Sequence, residues 1–180
     1  MRNTVKYLIF LIIYLACGGN LQAQNYTFRN VVMSDGLSGL LVNTIYKDSE
    51  GFVWLGTDNC LDRFDGVKVR HFEFRGIESG RKKRVNSVTE TASKQLWVGN
   101  GIGLWRLNRT NSQLERIVPE KIDFAVNTLL ANEDVLYIGT EKGLFIHKDG
   151  QLLQVLTDRN MLAACNRIMD ICLNEDKTVL

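Results

Sequence analysis

The two histidines of this 180-residue chain, His71 and His147, are the residues best suited by type to acid–base catalysis or metal binding. Each lies in or beside a segment typical of a short β-strand. Neither has a carboxylate, serine or cysteine at a spacing typical of a catalytic or metal-binding motif. We therefore predict no catalytic residue, no metal ligand and no cofactor. The sequence leaves the ligand-binding residues undefined.

A glycine-rich segment and a basic run offer two further kinds of chemistry. Gly99–Gly103 (GNGIG) resembles a phosphate-binding loop. Neither a helix nor a Lys-Ser/Thr pair follows it, which favours a turn between two strands. The run Arg81–Arg84 (RKKR) is either an anion-binding patch, for example for an acidic glycan, or a solvated link between two structural units. The second interpretation is favoured.

Aromatic rings can stack on sugars, but most of the candidates in this chain belong to a repeated pattern. The repeated aromatic residues are Trp54, Trp97 and Tyr137. They are 43 and then 40 residues apart. We therefore predict that they share one structural position, in a core between neighbouring repeats. Trp105 is different, since the related positions hold Arg63 and Ile146, and we expect it to lie exposed on a sheet face.

The repeat has a period of about forty residues, which is typical of a stacked or radial array. Each copy begins with an Asn–small–apolar triplet, and the triplets start at Asn43, Asn86 and Asn127. A fourth copy begins near residue 166, with Met169 at the Asn position and Leu180 at the position of Trp54. We therefore expect the chain to be a fragment that ends inside a strand. In the first copy, Cys60 replaces the glycine found at 103 and 143, which puts a positive-φ turn there in doubt.

Each copy predicts four short strands separated by turn signals. The strands are expected at Val42–Lys47, Phe52–Gly56, Leu61–Phe64, Lys68–Phe74, Val85–Glu90, Gln95–Gly99, Leu104–Leu107, Gln113–Ile117, Val126–Leu130, Val135–Gly139, Leu144–His147 and Gln151–Leu156. Asp65-Gly66 and Asp149-Gly150 are typical of hairpin turns in which both residues adopt positive φ.

A four-stranded antiparallel sheet of this size cannot bury two apolar faces alone, and radial packing of such sheets as blades solves that problem. The predicted fold class is therefore all-β: an incomplete β-propeller of four-stranded antiparallel blades, with three blades and the start of a fourth. A parallel β-helix is the alternative, but its rungs are shorter and lack Asp-Gly hairpins. Three blades leave two open edges, so we expect residues 24–180 alone to be poorly folded or oligomeric.

The chain is organised as an export segment followed by the repeats. Residues 1–23 combine two basic residues with the apolar run YLIFLIIYLA, which predicts a signal peptide. A membrane anchor and lipidation of Cys17 are the alternatives. Residues 24–41 lead into the first blade, and the blades are expected at 42–83, 84–124 and 125–165, with a truncated fourth at 166–180. The repeats are therefore expected outside the cytoplasm.

Charge and cysteine content argue against a nucleic-acid-binding protein and against a fold held by disulfides or a zinc motif. The formal net charge is +2, and the export segment carries two positive charges and no acid, so the remainder is neutral. A neutral chain has no electrostatic footprint for nucleic acid. Cys60, Cys165 and Cys172 form neither a disulfide framework nor a zinc motif. Buried free thiols are favoured over a Cys165–Cys172 disulfide.

Residues 43–66 contain, in order, the sequences NTI, DSEGFVWLGT and LDRFDG. They resemble the two-component regulator propeller repeat, and the resemblance extends in phase over residues 28–180. Such repeats form the periplasmic sensor half of Bacteroidetes-type hybrid two-component sensor histidine kinases. The resemblance implies an exported, glycan-sensing segment on the periplasmic side of the inner membrane, with no enzymatic activity of its own. It further implies an oligosaccharide ligand, association with the rest of the sensor kinase chain and a homodimer in the full-length protein.

The alternative function is a fragment of a secreted propeller enzyme that acts on polysaccharide. Glycosidic hydrolysis requires a convergent pair of acids. The acids of this chain fall mainly in turns, as at Asp48, Asp65 and Asp149, where hairpins require them. We therefore favour the sensor.

Overall fold

Twelve β-strands account for almost all of the regular structure among the residues that the computed structural model describes, which are 6–7, 30–31, 33–77, 83–117, 124–155 and 167–174. The chain divides into two compact units, residues 1–30 and 31–180, and all twelve strands belong to the second. Within the described residues, no helix has both the length and the apolar composition needed to cross a bilayer. Most of the predicted signal segment, residues 1–23, lies outside the described part of the chain.

The strands form three four-stranded antiparallel sheets, each in chain order. The first sheet contains β1 (Val42–Lys47), β2 (Val53–Thr57), β3 (Leu61–Phe64) and β4 (Val69–Phe72). The second contains β5 (Val85–Glu90), β6 (Leu96–Asn100), β7 (Gly103–Asn108) and β8 (Gln113–Ile117). The third contains β9 (Val126–Asn132), β10 (Val135–Thr140), β11 (Gly143–Lys148) and β12 (Gln151–Gln154). Every predicted strand is present, with ends shifted by at most two residues, and the predicted fold class is confirmed.

Each sheet presents a glycine to the residue just before the Asn position of the following repeat. The same position of β2, β6 and β10 holds Gly56, Gly99 and Gly139. A Cβ atom at the first would lie 2.6 Å from a methyl carbon of Val85, at the second 2.5 Å from one of Val126, and at the third 2.7 Å from one of Ile168. Side chains do not pack at such distances, so only glycine allows the two backbones to approach this closely.

Two apolar cores lie between the three sheets. The first contains Trp54, Leu61 and Phe72 of the first sheet with Val88, Val98 and Trp105 of the second. The second contains Trp97 and Leu104 of the second sheet with Leu136, Ile138 and Phe145 of the third. Trp54 and Trp97 are 0% and 4% exposed, which confirms for these two residues the prediction that the repeated aromatic residue lies between neighbouring repeats. Tyr137 is half-buried on the outer face of the third sheet.

The prediction that Trp105 is exposed was wrong, because its side chain is 1% exposed. Strand pairing gives the reason. Trp105 lies opposite the β6 residue that precedes the glycine, and the residues at this place in the other sheets are Phe145 and Asp62. Arg63 and Ile146 come one residue later along their strands, so they point to the opposite face.

Residues 167–174 continue the repeat on the outer face of the third sheet. Asn127 Nδ2 donates to the carbonyl oxygen of Ile168 at 2.8 Å, as Asn86 Nδ2 donates to that of Val126 at 2.8 Å. Ile168 therefore takes the place of Val126 one repeat further on. This equivalence supports the alignment of Met169 with the repeated asparagine.

The Asp-Gly hairpins follow the prediction in the third sheet and depart from it in the first. Asp149 and Gly150 both have positive φ, 49° and 74°. In the first sheet Gly66 has a φ of 98°, whereas Asp65 has no positive φ. The Asp65 carboxylate instead accepts hydrogen bonds from the backbone N–H groups of residues 67 and 68, at 2.8 and 2.7 Å. The side chain thus stabilises the turn in place of the second unusual φ angle.

Cys60 changes the turn before the third strand, as its substitution for glycine suggested. Gly103 and Gly143 have φ angles of 142° and 114° and begin β7 and β11. Cys60 has no positive φ, and β3 starts one residue later. Thr57 Oγ1 holds this turn, since it accepts from the Cys60 N–H at 3.1 Å and donates to the Cys60 carbonyl at 2.9 Å, as Thr140 Oγ1 donates to the Gly143 carbonyl in the third sheet.

The two outer sheet faces of the array expose apolar side chains. On sheet faces that lie between two sheets, the equivalent positions are buried. Ile45 of the first sheet is 69% exposed, whereas Val88 and Leu129, at the same place in the second and third sheets, are 5% and 7% exposed. On the other side of the array, Leu153 is 59% exposed. Sheet faces of this kind are built to pack against another sheet.

We predict that the purified chain self-associates through these faces, because association removes Ile45 and Leu153 from water. Sedimentation velocity should show species that grow with concentration, and the double variant I45E/L153E should shift them towards the monomer. The control is V67E, which places the same charge at an exposed apolar residue in the β3–β4 turn. A wild-type chain that stays monomeric, or a V67E variant as monomeric as the double variant, would contradict this prediction.

We also predict that Gly99→Ala destabilises the chain by about 1–3 kcal/mol, because the added methyl overlaps the Val126 side chain. The double variant G99A/V126A should be more stable than the sum of the two single changes allows, by at least about 0.5 kcal/mol. Urea unfolding of the four proteins, in the I45E/L153E background, measures this coupling. Additive effects would mean that the two residues do not meet.

Candidate functional site

The starts of the first strands border a cleft of about 590 Å³. Four of its lining residues occupy one position of the repeat: Asn43, Asn86, Asn127 and Met169. Asn43, Asn86 and Asn127 each come just after the start of the first strand of their repeats, beside the turn that joins the second and third strands, and Met169 aligns with them in the fourth repeat. The cleft is therefore assembled from equivalent parts of successive repeats, with Met169 as the one apolar member of this set.

The asparagines position the cleft as well as line it. Asn86 and Asn127 each bind the backbone of the following repeat, as described above. Asn43 instead donates to Asp58 Oδ1 at 3.0 Å. Arg84 Nε lies 3.9 Å from the same oxygen, so Asp58 links the first repeat to the residue that precedes β5. Hydrogen bonds between repeats hold the cleft walls at a defined spacing.

Charged and aromatic groups complete the lining. Arg84 and Arg167 each come two residues before the Asn position of their repeats, the second and the fourth, and the Arg84 side chain is 59% exposed. Glu141 lies in the β10–β11 turn. Phe124 is half-buried, and Lys142 Nζ lies 4.8 Å from the centre of its ring. Amides and guanidinium groups donate hydrogen bonds to hydroxyl and carboxylate oxygens, and a ring edge provides an apolar surface. The cleft is suited to a polar ligand that carries negative charge.

The sequence predicts that the basic run Arg81–Arg84 is either an anion patch or a link. The structure places its described residues in two different clefts. Arg81 and Lys82 lie outside the described residues. Lys83 lines a second cleft, of about 360 Å³, beside the first sheet. Arg84 lines the larger cleft between the repeats. The run therefore combines a linking position with a cationic contribution to a cleft, which the sequence alone treated as alternatives.

The glycine-rich segment Gly99–Gly103 forms the turn between β6 and β7, as predicted. Asn100 is fully buried in this turn. Its Oδ1 accepts hydrogen bonds from the Ile102 N–H at 3.0 Å and the Trp105 indole N–H at 3.1 Å. Thr140 takes the same role in the third sheet through its hydroxyl. The segment is thus a structural turn held by its own side chains.

His147 lies against the second sheet. Its ring centre is 4.8 Å from that of Trp97, with the planes inclined at 55°. Burial, and secondarily the positive charge of Arg106, lower the pKa of His147. This residue belongs to the contact between the second and third sheets, where the neutral ring packs on an aromatic neighbour.

His71 has the carboxylate neighbour that sequence spacing did not reveal. Its Nδ1 lies 2.7 Å from Oδ1 of Asp62, which is fully buried. The two residues pair directly across the β3–β4 hairpin, at mirror-image positions about its turn. A search for close sequence spacing misses such a pair, whereas the predicted register of the hairpin would have found it.

Cys60 and Ser38 complete a polar cluster around Asp62. The Cys60 thiol donates to Asp62 Oδ1 at 3.2 Å. Ser38 donates to Asp62 Oδ2 through its backbone N–H at 2.8 Å and its hydroxyl at 2.7 Å. Burial, with a contribution from the Asp62 charge, raises the pKa of the Cys60 thiol to about 12. Cys60 is the expected buried free thiol, Cys172 is free but exposed, and Cys165 lies outside the described residues.

Comparison with known proteins agrees with the resemblance seen in the sequence. The family model for the two component regulator propeller matches residues 36–59. Histidine kinase P4 of Formosa agariphila is 36% identical over 66 residues, a match that covers 37% of this chain and 5% of that protein. The chain thus spans about one twentieth of the curated relative that it matches.

Solved structures with a similar fold include a sensor domain and an enzyme. The extracellular domain of a putative hybrid two component system from B. thetaiotaomicron superposes with a TM-score of 0.67 at 20% identity, covering 80% of this chain and 20% of that one. A virginiamycin B lyase from Staphylococcus aureus superposes with a TM-score of 0.63 at 13% identity, covering 89% of this chain and 53% of the lyase. These likenesses concern the fold alone.

The sheets, the glycine contacts and these superpositions define a segment of β-propeller type. More particularly, residues 36–59 match the two component regulator propeller and a 66-residue stretch is similar to a histidine kinase, which confirms the resemblance inferred from residues 43–66.

We predict that stability falls as the pH is lowered through about 6.5, the ordinary pKa of histidine, because the folded chain lowers the pKa of His147. The unfolded chain then binds the proton more readily than the folded chain. Above that pH the histidine is neutral in both states and costs nothing. Urea unfolding at about pH 7.5 and 5.5 should show a smaller pH dependence in H147F, whose ring can still pack on Trp97. An unchanged pH dependence in H147F would contradict the assignment.

Proposed function

We propose that this chain is the extracytoplasmic, ligand-sensing segment of a hybrid two-component sensor histidine kinase, and that its ligand is an oligosaccharide bearing acidic sugars. The observation that carries the proposal is the cleft in which equivalent residues of successive repeats meet two arginines. The repeats of the matching family model and the kinase relative support the placement of the segment within a sensor.

The chemistry of the cleft supports the ligand class. Side chains of Asn43, Asn86 and Asn127 offer amide donors and acceptors at regular intervals, which suits a ligand with many hydroxyl groups. Arg84 and Arg167 can each form two parallel hydrogen bonds with a carboxylate. A volume of about 590 Å³ accommodates a few sugar rings. These features favour a uronic-acid oligosaccharide over a neutral one.

Hydrogen bonds between repeats hold the wall of the cleft. A ligand that bridges several repeats therefore changes how freely those repeats move relative to one another. Such a change can be passed along the chain to later domains. We propose that the signalling partner is the rest of the kinase chain, on the cytoplasmic side of the inner membrane, and that a homodimer of the full protein transmits the signal. DNA sequence beyond codon 180 should then encode a membrane-spanning helix and a kinase core with its phosphorylated histidine.

A secreted enzyme acting on polysaccharide is the second candidate, favoured by the superposition on a lyase of similar fold. Hydrolysis of a glycosidic bond requires two carboxyl groups that flank it. Among the described residues lining the cleft, Glu141 is the one acid. We therefore propose binding without catalysis for this segment.

Isothermal titration of the chain with oligogalacturonate and with maltohexaose tests the ligand class. We expect the acidic oligosaccharide to bind and the neutral one to bind at least about tenfold more weakly, since each charge-assisted hydrogen bond contributes about 1.5–3 kcal/mol. R84A and R167A should each weaken binding of the acidic probe about tenfold or more. The matched control is K148A, which removes one exposed positive charge at the opposite end of β11.

Several outcomes would contradict the proposal. Equal binding of both probes, or loss of binding in K148A as large as in R84A, would place recognition outside this cleft. Binding of neither probe would reject the ligand class. Release of shortened oligosaccharides during the titration would favour the enzyme instead.

A further inference from the structure

The first sheet differs from the other two at three positions that lie together. Cys60 stands where the other sheets have Gly103 and Gly143. Asp62 stands where they have Trp105 and Phe145, and His71 where they have Arg116 and Gln154. The second and third sheets serve as an internal control. They form without any of these three residues at the equivalent positions, so the fold itself does not require them. All three replacements are to residues that bind metal ions.

The cluster geometry also departs from that of the other sheets. Arg116 and Gln154 each donate to a carbonyl of the turn between the second and third strands of their own sheet. His71 instead turns towards Asp62. The ligand atoms of Cys60, Asp62 and His71 all lie within 4.8 Å of one another. The three side chains therefore face a single point.

We propose that Cys60, Asp62 and His71 bind a zinc-class divalent cation, with a water molecule from the adjacent cleft as the fourth ligand. This site is independent of the proposed glycan cleft, since it lies on the first sheet beside residue Ser38. Three protein ligands and one water are a recognised zinc arrangement, and sulfur with imidazole favours zinc over magnesium or calcium.

Two of the three donor pairs need little change to accept the ion, and the third, Cys60 Sγ with His71 Nδ1, lies within 4.8 Å. Tetrahedral zinc with ordinary bond lengths places its nitrogen and oxygen ligands about 3.3 Å apart and its sulfur and oxygen ligands about 3.5 Å apart. The present distances are 2.7 Å between His71 Nδ1 and Asp62 Oδ1, and 3.2 Å between Cys60 Sγ and Asp62 Oδ1. The His71 side chain is 46% exposed, so it has room to move outward by a few tenths of an ångström.

The surroundings supply what a metal site needs around its ligands. Ser38 holds Asp62 by two hydrogen bonds and so fixes the orientation of the carboxylate. A cleft of about 360 Å³, lined by Cys60, His71 and Glu73 among others, gives access to the ion and to water. Binding breaks the Cys60 S–H bond, forms a metal–sulfur bond and releases the proton to solvent. On His71 the metal takes the place of the Nδ1 proton, and the ring carries its proton on Nε2.

The buried charge gives a reason for the ion. Asp62 has no exposed surface; Ser38 and Cys60 satisfy its oxygens with neutral donors, which do not cancel its charge, and His71 cancels it only as a cation. A divalent cation offsets the charges of both the carboxylate and the thiolate. It also ties together β3, β4 and, through Ser38, the segment before β1.

Cobalt titration of the full chain tests this site. The background carries C17S, C165S and C172S, which leaves Cys60 as its one cysteine. We expect Co²⁺ to give the near-ultraviolet charge-transfer absorption of a Co²⁺–thiolate bond, with one ion bound per chain, and Zn²⁺ to abolish it by displacement. C60S should remove the absorption, and H71A should weaken binding at least about a hundredfold. H147A, which removes the other histidine, should leave the absorption and the binding affinity unchanged.

Other results would overturn the proposal. These are an absence of charge-transfer absorption, binding that survives in H71A, or equal loss in H147A and H71A. If C60S or H71A unfolds, as circular dichroism would show, S38A provides a milder change at a residue outside the ligand set. It should weaken zinc binding about ten- to a hundredfold, and unchanged affinity in S38A would count against the site.

Discussion

The close approach of a glycine in one sheet to a β-branched side chain in the next is the contact on which the rest of this structure depends. It recurs at Gly56, Gly99 and Gly139, and each time the partner is the residue just before the Asn position of the following repeat. With the backbones this close, the aromatic residue two positions earlier becomes enclosed between two sheets. The apolar cores, the burial of Trp54 and Trp97 and the hydrogen bonds between repeats all follow from that spacing.

The repeats share this contact but satisfy their polar groups in different ways. The Trp54 indole N–H donates to Asp48 Oδ2 at 2.8 Å, and Asp48 also organises the β1–β2 turn. In the second repeat Thr91 follows the first strand in place of that aspartate, and the Trp97 indole N–H is buried without a partner among the described residues. An unpaired buried donor costs free energy. Packing against the next sheet therefore outweighs hydrogen bonding in placing this ring.

Much of the fold could be predicted from the repeat, because period and turn residues report directly on local backbone structure. The strands were placed to within two residues for this reason. The prediction for Trp105 failed because it depended on the register of the strands. Trp105 was assigned to the wrong face by an alignment shifted by one residue, and one residue is enough to reverse the direction of a side chain in a strand. The positive φ expected at Asp65 failed because a side-chain carboxylate can stabilise the same turn.

The candidate sites were less visible still, since one joins distant segments and the other depends on the register of a hairpin. Arg84 and Arg167 lie 83 residues apart and meet at one cleft only because each comes two residues before the Asn position of its repeat. Their common position was readable from the repeat, but nothing in the spacing said that this position borders a cleft. Asp62 and His71 meet across a hairpin. A comparison of the copies of the repeat finds them, because three residues of metal-ligand type in the first copy replace residues of other chemistry in the second and third.

The most direct test of the account is the distance between neighbouring sheets in solution. Nuclear Overhauser effects should connect the α-protons of Gly56 with the methyl groups of Val85, and those of Gly99 with the methyl groups of Val126. The account predicts both, together with the equivalent contact between Gly139 and Ile168. Absence of these contacts in a chain whose sheets are otherwise formed would show that the sheets do not stack as described, and would contradict the arrangement of the cleft between the repeats.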